Sequence, residues 1–557
     1  MHTQWFHNYS AVGNSLGLTA LVVSLPIVFL FWALSVKRMK GHVACSLTLL
    51  LTIVITILAY RMPVTVALSA AALGMVTGLL LIGWIILTAI FLYNLTVESG
   101  QLEIIKSSVS SLSTDRRIQA LFIAFSFSAF LEGTSGMGAP VAICAAMLIG
   151  IGFSPLTAAL VCLVGNTVPV PFGPLGVPTI MMGSVTKIGI RVLTRAVGTD
   201  MAILALIIPI VMLVLLAGWK KAMGVLPAAL VAGGSYAVTC FLVSHFVGVE
   251  LPAILSSFVS LACLGAFLKF WKPKATFRFP NDPDIASETV AKYAPGRIIK
   301  AWTPFIVLMI VMGIWSFPAF KAWDLNVSHL VVTIPSWPFL DGIVYKTAPI
   351  VVKPSIYAAS YQWEFGTTAG TALFISSLIS MVLLRISPTT GAKVFVKTFK
   401  QMKFTLVTLA SVIGIAYVAN YSGMSYTLAL AFAHYTGKLF PAFSPVIGWL
   451  GVFLTGSVTS SAVLFGKLQQ ATAMQIGINP VLTTSANLAG GVAGKLISPQ
   501  SLAIACAAAG VGVREADIFR KIWKYSVMLL LAVIVLIVLQ AYVVPGIVPV
   551  DVSGVAP

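Results

Sequence analysis

Apolar residues along this chain gather into runs of roughly 18 or more that recur from end to end, each long enough to cross a bilayer as a helix. Spans are predicted near 15–36, 43–60, 66–96, 201–218, 225–245, 251–268, 301–317, 368–385, 404–421 and 525–545. The longest polar connections are about 269–300 and 318–366, and no soluble domain can be cut out between the runs.

One region departs from this pattern. Residues 118–178 are apolar almost throughout, yet FLEGTSGMGAP (Phe130 to Pro140) and GNTVPVPFG (Gly165 to Gly173) place glycines, prolines and one carboxylate, Glu132, at membrane depth. Broken backbone at that depth survives only inside protein or lining a cavity. The short runs 118–132 and 138–153, joined by a Gly-rich turn, predict a re-entrant hairpin over about 118–153. Residues 155–185, interrupted at Pro169, Pro171, Gly173, Pro174, Gly176 and Pro178, predict one broken span. The competing reading is three full helices, which raises the chain from about twelve crossings to about sixteen.

The same arrangement returns later in the chain. FLEG at Phe130 and FLTG at Phe453 lie 323 residues apart, as do Ser99-Gly100 and Ser422-Gly423. GFSP (Gly152 to Pro155) resembles GINP (Gly477 to Pro480) at an offset of 325, and Asn166 pairs with Asn487 at 321. Ordered matches at nearly constant spacing indicate a duplication. The second copy then has a hairpin over about 443–476 and a broken span over about 480–510. The chain divides into a first repeat over 1–218, linking helices and a loop over 219–300, and a second repeat over 301–557 that contains the exterior connection 318–366.

Composition fits this picture. The chain has 557 residues, 59% hydrophobic and 9% charged, with a mean hydropathy of +1.01, whereas a soluble domain is about 25% charged. The fold class is therefore an all-α polytopic membrane protein of about twelve transmembrane helices plus two re-entrant hairpins. The net charge of +19 comes from Lys and Arg in short loops, which is the bias of cytoplasmic loops and does not point to nucleic acid. That bias places both termini outside, with Lys37 to His42, 98–117, 269–300 and the Lys393 to Lys403 segment inside and 318–366 outside. Lys187, Arg191 and Arg195 go against it. Ser99-Gly100 then lies inside and Ser422-Gly423 outside, so the copies run in opposite directions. Inverted repeats with matching Gly/Pro-broken segments point to a secondary carrier with its site at the midplane. The six cysteines and six histidines are scattered, so no disulfide framework, metal site or cofactor is expected.

Glu132 is the sharpest candidate, because a carboxylate in hydrocarbon normally faces a cavity or a partner on a substrate or proton path. The alternative is a carboxylate locked in a network or an ion pair with Lys467 or Lys495. Around it the first tip offers Gly133, Thr134, Ser135 and Gly136, and the second tip offers Gly456, Ser457, Thr459, Ser460 and Ser461. Hydroxyls and free amides of this kind suit a carboxylate ligand; small residues also simply let helices pack closely. Lys495, in GGVAGKLISPQS, is the better anion-attracting cation. Asn166, Thr167 and Asn487 stand just before the breaks, where they can cap freed backbone or touch ligand.

At these residues the chain resembles the lactate permease family, bacterial carriers of L-lactate, D-lactate and glycolate that are held to work as proton symporters. The likeness runs through LEGxxGxGAPVAI (Leu131 to Ile143), GFSPLTAALVCLVGNTVPVPFG (Gly152 to Gly173), KAWTPF (Lys300 to Phe305), NYSGMSYTLAL (Asn420 to Leu430), GWLGVFLTGS (Gly448 to Ser457) and GKLISPQSLAIACAA (Gly494 to Ala508). It implies proton-coupled uptake of a small 2-hydroxymonocarboxylate across the bacterial inner membrane, with an elevator-like motion and with a homodimer as one assembly open to it. A Na⁺-coupled or uncoupled carrier of another organic anion is the alternative; an intramembrane enzyme lacks the paired acids or clustered histidines it would need. The chain departs from the family pattern at Val458 and Ala462, where Asp and Asn are usual, at Lys467, where a small residue is usual, and at Thr134 to Met137. The loss of the Asp at Val458 leaves Glu132 as the only obvious proton carrier.

Overall fold

The computed structural model describes residues 4–37, 39–110, 113–136, 138–279, 293–316, 331–509 and 513–551. Met137, 280–292 of the basic segment, 317–330 of the long connection and 552–557 of the tail fall outside the described residues.

The described residues are mostly helical, and among them eleven helices are long and apolar enough to cross a membrane. Three predicted spans appear as Leu16–Phe31, Gly41–Leu58 and the pair Val64–Thr77 and Trp84–Glu98 joined through a π-helical stretch. Later spans extend further than the apolar runs suggested: Ile190–Ala217, Pro388–Tyr421 and Glu515–Tyr542 each begin in charged sequence. A helix over Met424–Thr436, absent from the predicted set, precedes the second hairpin. Lipid-facing positions such as Leu21 and Leu58 are 65% and 74% exposed, as expected of a protein whose outer surface meets hydrocarbon instead of water.

The two stretches predicted as hairpins each hold a pair of helices joined by a short break. The first has arms Arg116–Thr134, which passes through a π-helical stretch at Leu121–Phe127, and Ala139–Gly150. The second has arms Phe440–Thr455 and Val458–Ile476. Each is followed by a broken span: Pro155–Gly165 then Val177–Thr186, and Pro480–Lys495 then Pro499–Ala509. The GFSP and GINP motifs perform the same local task in the two places. Gly152 and Gly477 end a helix with φ of 102° and 73°, Ser154 and Asn479 cap the next one through Thr157 N and Val481 N, and Pro155 and Pro480 occupy its first turn.

The first arm is anchored by rings. Phe122, Phe125, Phe127 and Phe130 are fully buried, and Phe130 packs on Trp302 and Phe305 with centroids 5.1 and 4.8 Å apart. Pairs of this kind add about 0.5–1.5 kcal/mol each beyond their buried area.

Two small sheets add to the all-helical expectation. Trp5–Phe6 runs parallel to Val344–Lys346, which pairs antiparallel with Ser355–Ile356; Val331–Ile334 pairs antiparallel with Tyr361–Glu364. The long connection thus clasps the N-terminal segment. His7 lies inside the clasp, with Nε2 2.9 Å from Tyr421 O and the ring beside Tyr9, Tyr357 and Tyr426. Burial lowers its pKa to about 4, with the nearby Lys346 adding to the effect.

Candidate functional site

The first hairpin and the first broken span meet at Glu132. Its carboxylate is 3% exposed. Oε2 accepts from Asn166 Nδ2 at 2.9 Å, and Asn166 Oδ1 accepts from Ser128 Oγ at 2.9 Å. Asn166 caps the end of Pro155–Gly165, so the helix stop itself delivers the amide to the acid. The strand of backbone after the break passes close by. A Cβ at Gly173 would sit 2.6 Å from Glu132 O, so only glycine allows this approach. Leu175 N donates to Gly133 O at 2.9 Å, tying the break to the tip.

The other half of the site comes from the second copy. Lys495 Nζ donates to Glu132 Oε1 at 2.7 Å, with side-chain exposures of 15% and 3%. Lys495 is the last residue of Pro480–Lys495, where the negative end of the helix dipole favours a cation. Together the two charges are neutral as a unit. Removing either partner strands the other in the interior, at a cost of about 3–5 kcal/mol.

The pair faces a chamber of about 510 Å³. From Glu132 and Lys495 the chamber runs past Thr408 and Phe404 to His42 and Met39 beside the first loop. One wall is the second tip, where Gly456, Ser457, Thr459 and Ser460 line the space. Gly456 closes the first arm with φ of 72°, and Ser457 caps the second arm by accepting from Ser460 N at 3.2 Å. Val170, Val177, Val458, Leu454 and Ile504 supply an apolar remainder.

Several other sequence candidates do not line this chamber. Gly133 packs on Ala253 and Ile254, and Gly136 packs on Pro174. Thr134 and Ser135 are buried and turn back to Phe130 O and Leu131 O at 2.9–3.2 Å. They fold back because the helix continues through Thr134, which leaves an accepting carbonyl one turn behind each hydroxyl. Thr167 Oγ1 donates to Val164 O at 2.7 Å. Ser461 and Asn487 are buried together, Oγ to Oδ1 at 3.4 Å, away from the opening. Lys467 lies elsewhere, with Nζ 2.7 Å from Gln470 Oε1 and over the Tyr426 ring.

The chamber also has polar residues that the sequence reading left out: Thr455, Thr405, Thr408, Gln500 and Ser501. Thr455 was within reach, since it stands 323 residues after Glu132, at the spacing of the repeat. Thr405 and Thr408 belong to a span outside both hairpins, and nothing in their local sequence marks them.

A family model described as L-lactate permease matches residues 19–544. The chain is 44% identical to the L-lactate permease of Bacillus subtilis (strain 168), covering 98% of this chain and 100% of that one. It is 45% identical to glycolate permease GlcA of Escherichia coli (strain K12), covering 97% and 99%. Among solved structures, MtrF of Neisseria gonorrhoeae aligns with a TM-score of 0.47 and 12% identity over 86% of this chain and 84% of that chain.

Proposed function

The chain belongs to the L-lactate permease family of multi-pass membrane transporters, and from that premise we propose that it carries small 2-hydroxymonocarboxylates, lactate or glycolate, together with a proton across the bacterial inner membrane. The observation that supports this most is the Glu132–Lys495 ion pair lining the chamber.

The chemistry follows from charge balance. With the site empty, Lys495 and Glu132 neutralise each other. An arriving carboxylate competes for the Lys495 ammonium, and Glu132, released from its cation but still buried, takes up a proton. The loaded site then holds Lys495⁺, the substrate anion and a neutral Glu132, with no net charge to drag through hydrocarbon. Anion and proton therefore bind together or not at all, which is the condition for symport. Asn166 keeps the carboxyl in place whichever form it takes, and Ser457, Thr459 and Ser460 are positioned to hold the substrate's hydroxyl and carboxylate.

Alternating access through inverted copies is supported by how the copies interleave. Ala139–Gly150 packs on Pro499–Ala509, while Val458–Ile476 packs on Val177–Thr186. Each hairpin's second arm thus rests on the far piece of the other copy's broken span. That is the exchange a twofold axis in the membrane plane produces. The chamber's approach to the first loop, placed in the cytoplasm by its basic residues, corresponds to a state open inward.

Proteoliposomes with an imposed pH gradient should accumulate labelled lactate or glycolate, with sodium absent. Glu132→Gln should abolish accumulation. Uptake indifferent to the gradient and unchanged by Glu132→Gln would refute the coupling.

A further inference from the structure

A second acid lies at membrane depth and pairs with no cation. Asp200 is ten residues into the span Ile190–Ala217 and 1% exposed, about 15 Å along the helix from its first residue. Its Oδ1 accepts from Gln540 Nε2 at 2.8 Å, and its Oδ2 has no hydrogen-bond partner. Gln540 lies near the end of the last span, Glu515–Tyr542. The span that carries Asp200 also packs on Pro480–Lys495, the helix that ends at the Glu132 partner.

Its surroundings make an ionised carboxylate untenable. The helices packed on its own carry Cys162, Tyr236, Cys240, His245 and Lys495, and Ser485, also on Pro480–Lys495, hydrogen-bonds the carboxyl itself. Lys495 is taken by Glu132. Arg195, on the same helix, donates to His245 O. Lys220 and Lys221, and Arg116 and Arg117, flank the far end of the span, where Arg117 pairs with Asp115. Among the described residues no Lys or Arg forms an ion pair with Asp200. A buried carboxylate held by the Gln540 amide and the Ser485 hydroxyl but by no cation carries a desolvation penalty of several kcal/mol, whereas a neutral carboxyl keeps the Gln540 bond and can donate its own O–H to Ser485.

We propose that Asp200 is a second proton-carrying group of the transport cycle, protonated in the state described here. This rests on the proton-coupled reading given above. Asp200 takes its proton from water on one side when the packing around Gln540 opens. It gives the proton up to water on the other side later in the cycle, and no other reactant is involved. Its proton is additional to the one that neutralises the substrate at Glu132. The wild-type cycle therefore moves one net positive charge per anion.

The test is carried out on the full chain in proteoliposomes with labelled lactate. Asp200→Asn should keep lactate–lactate counterflow, which requires no net proton movement. Its accumulation ratio at a one-unit pH gradient should fall about tenfold, the equivalent of one proton, and its response to an inside-negative potential should disappear. Infrared spectra of the wild type should show a protonated-carboxyl stretch, sensitive to deuterium, that Asp200→Asn removes. Where the Asn variant does not fold, Asp200→Ser, which still offers Gln540 an acceptor, takes its place in both measurements. An unchanged accumulation ratio and potential response in a variant that exchanges normally would overturn the role of Asp200 and leave that of Glu132 standing. A wild type that ignores the pH gradient while showing the infrared band would overturn the coupled reading and this role together.

Discussion

The two hairpin tips hold matching places in the chain but differ in chemistry. The first arm of the first hairpin stays helical through Thr134, buries both its hydroxyls against its own carbonyls, and presents one group to the chamber, the Glu132 carboxylate. The first arm of the second hairpin stops at Gly456 in a left-handed turn, and the hydroxyl-bearing residues Ser457, Thr459 and Ser460 that follow line the same space. One tip supplies charge and the other supplies neutral hydrogen-bonding groups. A shared frame can thus carry different chemistry at its two tips.

The largest effect should come from removing the cation that joins the copies. Lys495→Met should abolish uptake and lower thermal stability by about 3–5 kcal/mol, because Glu132 is left buried and unpaired. Combining it with Glu132→Gln should restore most of that stability without restoring uptake. A melting series in detergent reads the first effect and a flux assay the second. If the double variant melted no higher than the single one, the pairing would not be what holds the copies together.

Asn166→Ala comes next, since it removes a hydrogen bond to a charged group worth about 1.5–3 kcal/mol. Uptake should drop at least tenfold, and its pH dependence should shift, because the amide holds the carboxyl in place. A variant that lost rate with an unmoved pH profile would put Asn166 in a purely structural role.

The hydroxyls test the comparison directly. Ser460→Ala should raise KM several-fold, in keeping with about 0.5–1.5 kcal/mol for one neutral hydrogen bond. Thr134→Ala and Ser135→Ala should leave KM within about twofold of wild type on the same scale. Equal effects at both tips would remove the distinction drawn here.

The smallest effect on transport should be at the clasp, which serves as a control for the pH measurements. His7 has a folded pKa of about 4 against 6.5 when free, so the unfolded segment binds the proton more readily. Its contribution is present above about pH 6.5 and falls away toward pH 4, by about 3 kcal/mol in all. Proteolysis of the clasp should therefore speed up with external acid in the wild type and not in His7→Gln. Lactate affinity at neutral pH should be the same in both.

Much of the frame was legible in the sequence. The breaks could be placed because proline and glycine leave few backbone options at membrane depth, and GFSP and GINP encode a helix stop, a cap and a restart in four residues. Glu132 stood out as an acid in a wholly apolar stretch. Its contact with Lys495 was one of two pairings left open, the other being Lys467, because residues 363 apart in sequence are brought together only by the tertiary packing. Whether a tip hydroxyl faces ligand or its own helix depends on where the helix stops, a matter of one turn that Gly133 and Gly456 left ambiguous. Asp200 was concealed by Arg191 and Arg195. They made 187–200 read as a loop, whereas the helix begins at Ile190 and carries the acid inward. The clasp strands are two to four residues long, too short to leave a periodic signal.

The crossed packing of the hairpins has a consequence for biosynthesis. The arm Ala139–Gly150 leaves the ribosome more than three hundred residues before Pro499–Ala509, the helix it rests on. Until that part of the chain is inserted, Glu132 lacks Lys495 and the arm Ala139–Gly150 lacks the helix it packs on. Severed halves would each be orphans to the insertion machinery, and maturation of the carrier waits on nearly the last segment of the chain.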